Sequence, residues 1–221
     1  MFKNSKDLKL FKNECVDFTV SDASLDTSSE EERESVLKLF GDRKLYSLKQ
    51  VHGDKILDTK DMKKDEVYEA DGIYSSDPKV VSLIRMADCS GVLLYAKDIK
   101  AYTVVHAGRV GALKGIVSKA INLLVAKGAK KEALLAYITP HIRWCNYEVG
   151  SEIYEKASEF CKVINSKFYF DLEACIRKQL EVLEANHIYY EQADTFSSEN
   201  LFSYRRDKTT KRFGIFCAIR S

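Results

Sequence analysis

Val80-Val81-Ser82-Leu83-Ile84-Arg85-Met86 passes through Ala87-Asp88-Cys89-Ser90-Gly91 into Val92-Leu93-Leu94-Tyr95. Ala101-Tyr102-Thr103-Val104-Val105 then leads into His106-Ala107-Gly108. All three apolar runs are short enough to be buried strands. A helix follows over about residues 113–127, stopped by Gly128 at the C′ position, and residues 134–138 form a further strand before Thr139-Pro140. Strands interleaved with helices define a mixed α+β chain. The pattern alone leaves the strand order open.

Working outward, residues 44–51 and 55–58 read as two strands joined through His52-Gly53-Asp54, a probable hairpin with His52 at its tip. The polar stretch 21–33 ends in a helix start, where Ser28 or Ser29 caps, Glu31 and Glu32 favour the first turn, and Gly41 follows the helix. Downstream, residues 148–166 and 172–185 carry apolar side chains at spacings of three and four and are predicted as amphipathic helices. Residues 189–190 and 213–219 read as closing strands. With two prolines, ten glycines and no linker-like stretch, residues 1–221 are expected to form a single domain.

A hydrophobic content of 45% and an aromatic content of 11% supply a substantial core. Lysine plus arginine (35) nearly balances aspartate plus glutamate (33), for a formal charge of +2. That balance gives no reason to expect nucleic acid or a membrane surface as partner, while a local patch still suits a small anionic substrate. No apolar run approaches the roughly 20 residues of a membrane helix. The stretch from Met1 to Asp7 is too polar for a signal peptide, and the six scattered cysteines read as reduced thiols. The expected location is cytoplasmic.

Strand ends followed by glycine turns let side chains leave a rigid sheet for a shared cleft. His52, Cys89 and His106 all stand at such junctions. An imidazole–thiolate–imidazole set supplies three zinc ligands and leaves a fourth position open, as in a catalytic site. The bland alternatives are hydrogen-bonded structural histidines and a small core cysteine, and the wide spacing lacks an H-E-x-x-H or C-x-x-C chelate. Cys89 is equally readable as a nucleophile paired with His106. Asp88 is a candidate to orient a ligand imidazole or to act as general base, against a plain turn aspartate. His141, after Pro140, is a candidate to line the same cleft, and His187 reads as a partner for helix C-terminal carbonyls. Arg205 and Arg206 suit a phosphate or carboxylate, against a surface charge pair with Asp207.

Taken in order, Gln50-Val51-His52-Gly53-Asp54, Ala70-Asp71-Gly72, Ala87-Asp88-Cys89, His106-Ala107-Gly108, Asn146-Tyr147-Glu148-Val149-Gly150, Asp171-Leu172 with Arg177-Lys178-Gln179-Leu180, and Phe202-Ser203-Tyr204-Arg205-Arg206-Asp207 form one series. From about residue 44 onward this series resembles the bacterial laccase-domain family, also called polyphenol-oxidase-like, peptidoglycan editing factor or purine nucleoside phosphorylase. The resemblance implies one α+β domain, a mixed αβ sandwich with mixed β-sheets flanked by helices, and zinc held by His52, Cys89 and His106. It also implies phosphorolysis of adenosine, inosine, guanosine and methylthioadenosine, and deamination of adenosine. Links to removal of wrongly built cell-wall precursors and the multicopper laccase label come with the same family. The sequence departs from the family's His-Ala-Gly-Trp-Arg-Gly at His106-Ala107-Gly108-Arg109-Val110-Gly111, and from its Gly-Pro-x-Ile-Gly-Pro-Cys-Cys-Tyr-Glu-Val-Gly over residues 139–150. It also reads Asp194-Thr195 for cysteine-threonine, and lacks the N-terminal Ser-x-Gly-Pro-Tyr-x-Ser-Leu-Asn-Leu signature. These departures touch the walls of the expected pocket rather than the ligands.

Four histidines are enough for one metal site at most, so multicopper oxidation is not expected. A single copper held by two histidines and a cysteine would be an electron-transfer centre with a weak axial methionine, for which Met86 is the nearest choice. The favoured expectation is zinc-assisted chemistry on purine nucleosides, with Asp88 shuttling a proton and Arg109, Arg205 or Arg206 holding phosphate. The alternatives are a metal-dependent amide hydrolase acting on peptidoglycan precursors, which needs a long open groove, and a binding protein without activity.

Overall fold

The computed structural model describes residues 3–63 and 66–220, so the first two residues of the polar N-terminal stretch lie outside it. In chain order the elements are β1 (Lys3–Asn4), β2 (Val16–Val20), α1 (Glu30–Leu37), β3 (Lys44–Ser47), β4 (Ile56–Asp58), β5 (Gly72–Ser75) and β6 (Val80–Met86). There follow β7 (Ser90–Ala96), β8 (Ala101–Ala107), α2 (Arg109–Leu113), α3 (Ile116–Ala126), β9 (Leu134–Ile138) and β10 (Glu148–Val149). The chain closes with α4 (Ser151–Ala157), β11 (Cys161–Ile164), β12 (Lys167–Phe170), α5 (Leu172–Leu180), β13 (Ile188–Tyr190), α6 (Tyr204–Asp207) and β14 (Phe213–Ile219).

A five-stranded sheet in the order β1-β2-β14-β6-β3 faces a six-stranded sheet in the order β13-β9-β7-β8-β5-β4. Their inner faces meet in one apolar layer, with Phe18, Ile84, Phe213 and Ile215 from the first sheet against Leu93, Tyr102, Val104 and Tyr137 from the second. The outer face of the six-stranded sheet, through Val92, Leu94, Val105 and Ala136, is covered by α3 and α5. The outer face of the other, through Val81, Leu83 and Phe216, is covered by the α1 side chain Val36. Alternate residues therefore point into different apolar layers, and both sets are buried. That is why β6, β7 and β8 read as continuous apolar runs, since each buried aliphatic side chain contributes about 1.5–3 kcal/mol. The α+β sandwich is the observed architecture.

Four local expectations need correction. Residues 44–51 and 55–58 are not a hairpin: β3 lies in the five-stranded sheet beside β6, while β4 is an edge of the six-stranded sheet. The chain between them crosses from one sheet to the other. Residues 148–166 are not one helix either. The helix stops after α4, and β11 and β12 pair as an antiparallel hairpin. Asn165 and Ser166 turn it with φ of 49° and 61°, the left-handed pair that a two-residue hairpin turn requires. Helical spacing up to Phe160 masked the β-branched pair Val163-Ile164. The helix expected over 113–127 begins earlier, at Arg109, and is broken at Gly115 (φ 78°). The helix expected over 172–185 ends with α5 at Leu180. All six cysteines are free thiols.

Candidate metal centre

The two sheet-crossing links explain how distant residues meet. β3 and β6 run parallel in one sheet, so both leave it at the same end. β3 crosses through His52 to β4, and β6 crosses through Cys89 to β7. β8 runs antiparallel to β7, with Gly91 opposite His106, so its last turn returns to that end. The donor atoms of His52, Cys89 and His106 lie within 4.8 Å of one another, the two imidazole rings 4.9 Å apart and steeply inclined at 75°. Tetrahedral bonds of about 2.0–2.3 Å would draw such donors only slightly closer. Among the described residues this is the one cluster of three or more His, Cys or carboxylate donors with metal-ligand spacing.

Local backbone shape serves the convergence. His52 and Asp88 have φ of 57° and 91°, left-handed values that non-glycine residues hold only under tertiary constraint. Gly108 keeps the next turn open: a Cβ there would come within 2.8 Å of the Cys89 sulfur. Asp71, which is fully buried, ties the parts together. Its Oδ1 accepts from the His52 backbone N–H at 3.0 Å and from His106 Nδ1 at 2.8 Å. Its Oδ2 accepts from the backbone N–H groups of Gly53 at 2.6 Å and Val51 at 3.2 Å. With Nδ1–H committed to Asp71, the Nε2 lone pair of His106 is the one left for a ligand.

Electrostatics favour an ionised sulfur. Burial opposes ionisation of the Cys89 thiol, yet the adjacent His106, with hydrogen bonds from His106 and His52, brings its pKa down to about 6. Burial likewise works against the His106 imidazolium, but the Cys89 charge and Asp71 raise its pKa above the usual histidine value. Cys89 and His106 thus each favour the charged form of the other. Two nitrogens and a thiolate suit a divalent transition ion of borderline softness, zinc among them.

Asp88 lines the cleft beside Cys89, but the carboxylate that orients an imidazole is Asp71. Asp88 accepts from the Thr195 hydroxyl at 2.8 Å and from the Arg205 backbone N–H at 2.6 Å, which holds the C-terminal loops against the centre. Arg109 opens α2 at the cleft wall, in reach of the Tyr147 hydroxyl. Arg205 lines the same wall, its guanidinium 5.3 Å from the Tyr147 ring centroid and bonded to the Glu148 carbonyl. Arg206 is otherwise engaged: it donates to the carbonyls of Thr195, Phe196, Ser198 and Leu201 and pairs with Asp207. His141 does not reach the cleft. It is fully buried, with its Nδ1 donating to the Thr139 carbonyl at 2.9 Å. Met86 packs its sulfur over Gly91 and is itself buried.

The cleft in front of the three donors has a volume of about 710 Å³, toward the upper part of the roughly 300–1,000 Å³ usual for small-molecule sites. Six basic side chains line it, Lys49, Arg85, Arg109, Arg205, Lys208 and Arg212, against the single carboxylate of Asp88. In a chain of net charge +2 this local excess leaves the remaining surface net acidic. Such a local excess of positive charge favours an anion in this cleft. Sequence reasoning singled out neither Asp71 nor the bases beyond Arg109 and Arg205. An aspartate before glycine reads as a turn residue, and isolated bases on separate elements carry no spacing signal.

Fold and site together define an αβ sandwich with one candidate metal centre of two histidines and a cysteine. Residues 11–220 match the family described as multi-copper polyphenol oxidoreductase laccase, and the chain belongs to that family. A purine nucleoside phosphorylase of Aquifex aeolicus is 33% identical over 175 residues, covering 79% of this chain and 82% of the relative. A purine nucleoside phosphorylase of Rickettsia conorii is 29% identical over 216 residues, covering 93% and 85%. The fold is that of Bacillus licheniformis YfiH, a hypothetical protein (TM-score 0.86, 20% identity, 98% and 99% of the two chains). It is shared with YlmD of Geobacillus stearothermophilus (TM-score 0.84, 22% identity, 97% and 94%). Among the described residues, no helix is long and apolar enough to cross a membrane.

Proposed function

We propose that residues 1–221 form a single laccase-like domain acting as a cytoplasmic, zinc-dependent enzyme on purine nucleosides, with phosphorolysis of adenosine, inosine, guanosine or methylthioadenosine and deamination of adenosine as its reactions. The observation that carries this reading is the convergence of His52, Cys89 and His106 at the floor of a basic cleft. The relatives, named as purine nucleoside phosphorylases, supply the substrate class. Its partners are then a small nucleoside and phosphate, not nucleic acid or membrane. The multi-copper name fits the chain poorly, because two of its four histidines already belong to the one cluster.

His52, Cys89 and His106 would hold the ion, with Asp71 fixing the His106 ring. Zinc bound there supplies Lewis acidity toward a water or a substrate oxygen. In deamination Asp88 takes the proton from the water that adds to C6 of adenine and returns it to the departing ammonia. In phosphorolysis Arg109 and Arg205 hold the phosphate while one of its oxygens bonds to C1′ of the ribose. The C1′–N9 bond breaks with its electron pair going to the base, which takes up a proton. Tyr147, whose pKa burial raises to about 12, stays a neutral hydrogen-bonding wall for the sugar or base.

The test is metal analysis of the purified protein followed by incubation with adenosine and inosine, with and without phosphate. Near-stoichiometric zinc and release of free base or inosine are expected. Cys89→Ala should lose both metal and turnover; a zinc-free, fully active Cys89→Ala enzyme would falsify the ligand assignment. Cleavage of a peptidoglycan-precursor amide, oxidation of a phenol, or binding without turnover would each replace the purine reading.

A further inference from the structure

The bases of the cleft fall into two electrostatic groups. Arg109 and Arg205 act on Tyr147, which in turn feels the charge of Cys89, so they belong to the metal end. Arg85 has different neighbours: Arg33 of α1 and Arg212 at the entrance to β14. Burial, and then repulsion from these two guanidinium groups, lowers the pKa of Arg85. Asp26 is the carboxylate that acts against the repulsion, and its Oδ1 already accepts from the backbone N–H groups of Ser28 and Arg212. Arg85 donates to the Leu48 carbonyl at 3.0 Å, which leaves most of its five N–H donors for solvent or ligand. Among the described residues, the Arg33 and Arg212 side chains likewise bond only backbone carbonyls. Ser28, Lys49 and Lys208 line the same cleft. Packing half-buried guanidinium groups together without matching carboxylates costs stability, and a compact multivalent anion is what relieves it.

We propose that Arg85 and Arg212, which both line the cleft, form an anion subsite distinct from the Arg109–Arg205 pair that takes the phosphoryl group of a 5′-phosphorylated nucleoside. The inference rests on the purine reading of the metal centre and extends its substrate class from nucleosides to nucleotides. Phosphate acting as nucleophile must reach C1′ beside the ion, where Arg109 and Arg205 stand. A second basic group with different neighbours therefore serves a phosphoryl carried by the substrate. The volume of about 710 Å³ leaves room for both ends to be filled at once.

Calorimetric titration of the metal-loaded full chain with adenosine, 5′-AMP and inorganic phosphate tests this. The monophosphate should bind at least about tenfold more tightly than adenosine, as expected for charged hydrogen bonds to guanidinium. Arg85→Gln should remove that advantage and leave adenosine binding within about twofold of wild type, as loss of a remote charged contact predicts. Arg212→Gln, at the cleft wall before β14, should weaken 5′-AMP in the same direction and keeps the test valid if Arg85→Gln fails to fold. A monophosphate that binds no better than adenosine, or that ignores both substitutions, overturns the subsite. Arg85-dependent binding of inorganic phosphate without any gain for 5′-AMP overturns the nucleotide assignment. If 5′-AMP binds through Arg85 but neither purine compound is turned over, the subsite stands and the proposed activity falls.

Discussion

Asp71 accepts four hydrogen bonds, one from a ligand imidazole and three from the backbone of the loop that carries the other histidine. One buried carboxylate thus sets the tautomer of His106 and the position of His52. Asp71→Asn keeps the shape but gives up the charge and turns one acceptor into a donor. Metal affinity should fall about 10–100-fold, measured by competition with a chelator, while the far-ultraviolet circular dichroism is unchanged. Unchanged affinity would show that the two rings are held by packing alone. At this scale the three candidate donors could be picked out in the sequence, because His52, Cys89 and His106 each follow an apolar run and precede a glycine turn, but only the family resemblance set them above structural histidines and a core cysteine. Asp71 could not, because its partners lie 18 to 35 residues away and no local pattern marks a hydrogen bond of that range.

The strands of the core were legible because both of their faces are buried, and β14 and β9 fall where their apolar runs predict. The wrong hairpin at His52 has the opposite cause. Two strands separated by a short glycine-containing link normally pair with each other, and only the tertiary arrangement sends β3 and β4 to different sheets. The loop over residues 195–201 shows the same dependence on distant partners. It has no regular ladder, and the Arg206 guanidinium satisfies four of its carbonyls from the first turn of α6. Arg206→Ala should lower stability by about 1.5–3 kcal/mol, the range for hydrogen bonds to a charged group. Arg206→Lys should recover little, since an ammonium cannot reproduce the planar fork. Denaturant unfolding of both variants checks this, with zinc content expected to remain near wild type. A neutral Arg206→Ala would return the residue to the surface pair with Asp207 suggested by sequence.

For the whole molecule, acid sensitivity has a source outside the metal centre. Burial pushes the pKa of His141 down to about 4, and Glu173, 3.7 Å from its Nε2, is already engaged by Arg143 and Arg177. The unfolded chain takes up a proton on this residue below pH 6.5, while the folded chain refuses it until about pH 4. Stability therefore falls as pH drops through that window and is unaffected above it. At pH 5 the loss is about 2 kcal/mol, from roughly 1.4 kcal/mol per pH unit. Urea unfolding of chelator-treated protein at pH 7 and pH 5 should show a smaller difference for His141→Gln than for wild type. Equal differences would mean that water reaches the imidazole. The histidine count, the charge balance and the mixed α and β class were available from composition and pattern and the sandwich only from the resemblance, whereas the basic cleft was not legible, because its six cations come from five separate stretches of chain. The two links that span the layers have a mechanical consequence. An ion gripped by one residue from each link and one from β8 would act as a rivet across the seam, resisting shear of one sheet over the other. Extracting it should speed amide exchange at the ends of β6 and β7 together, leaving their far ends as slow as before.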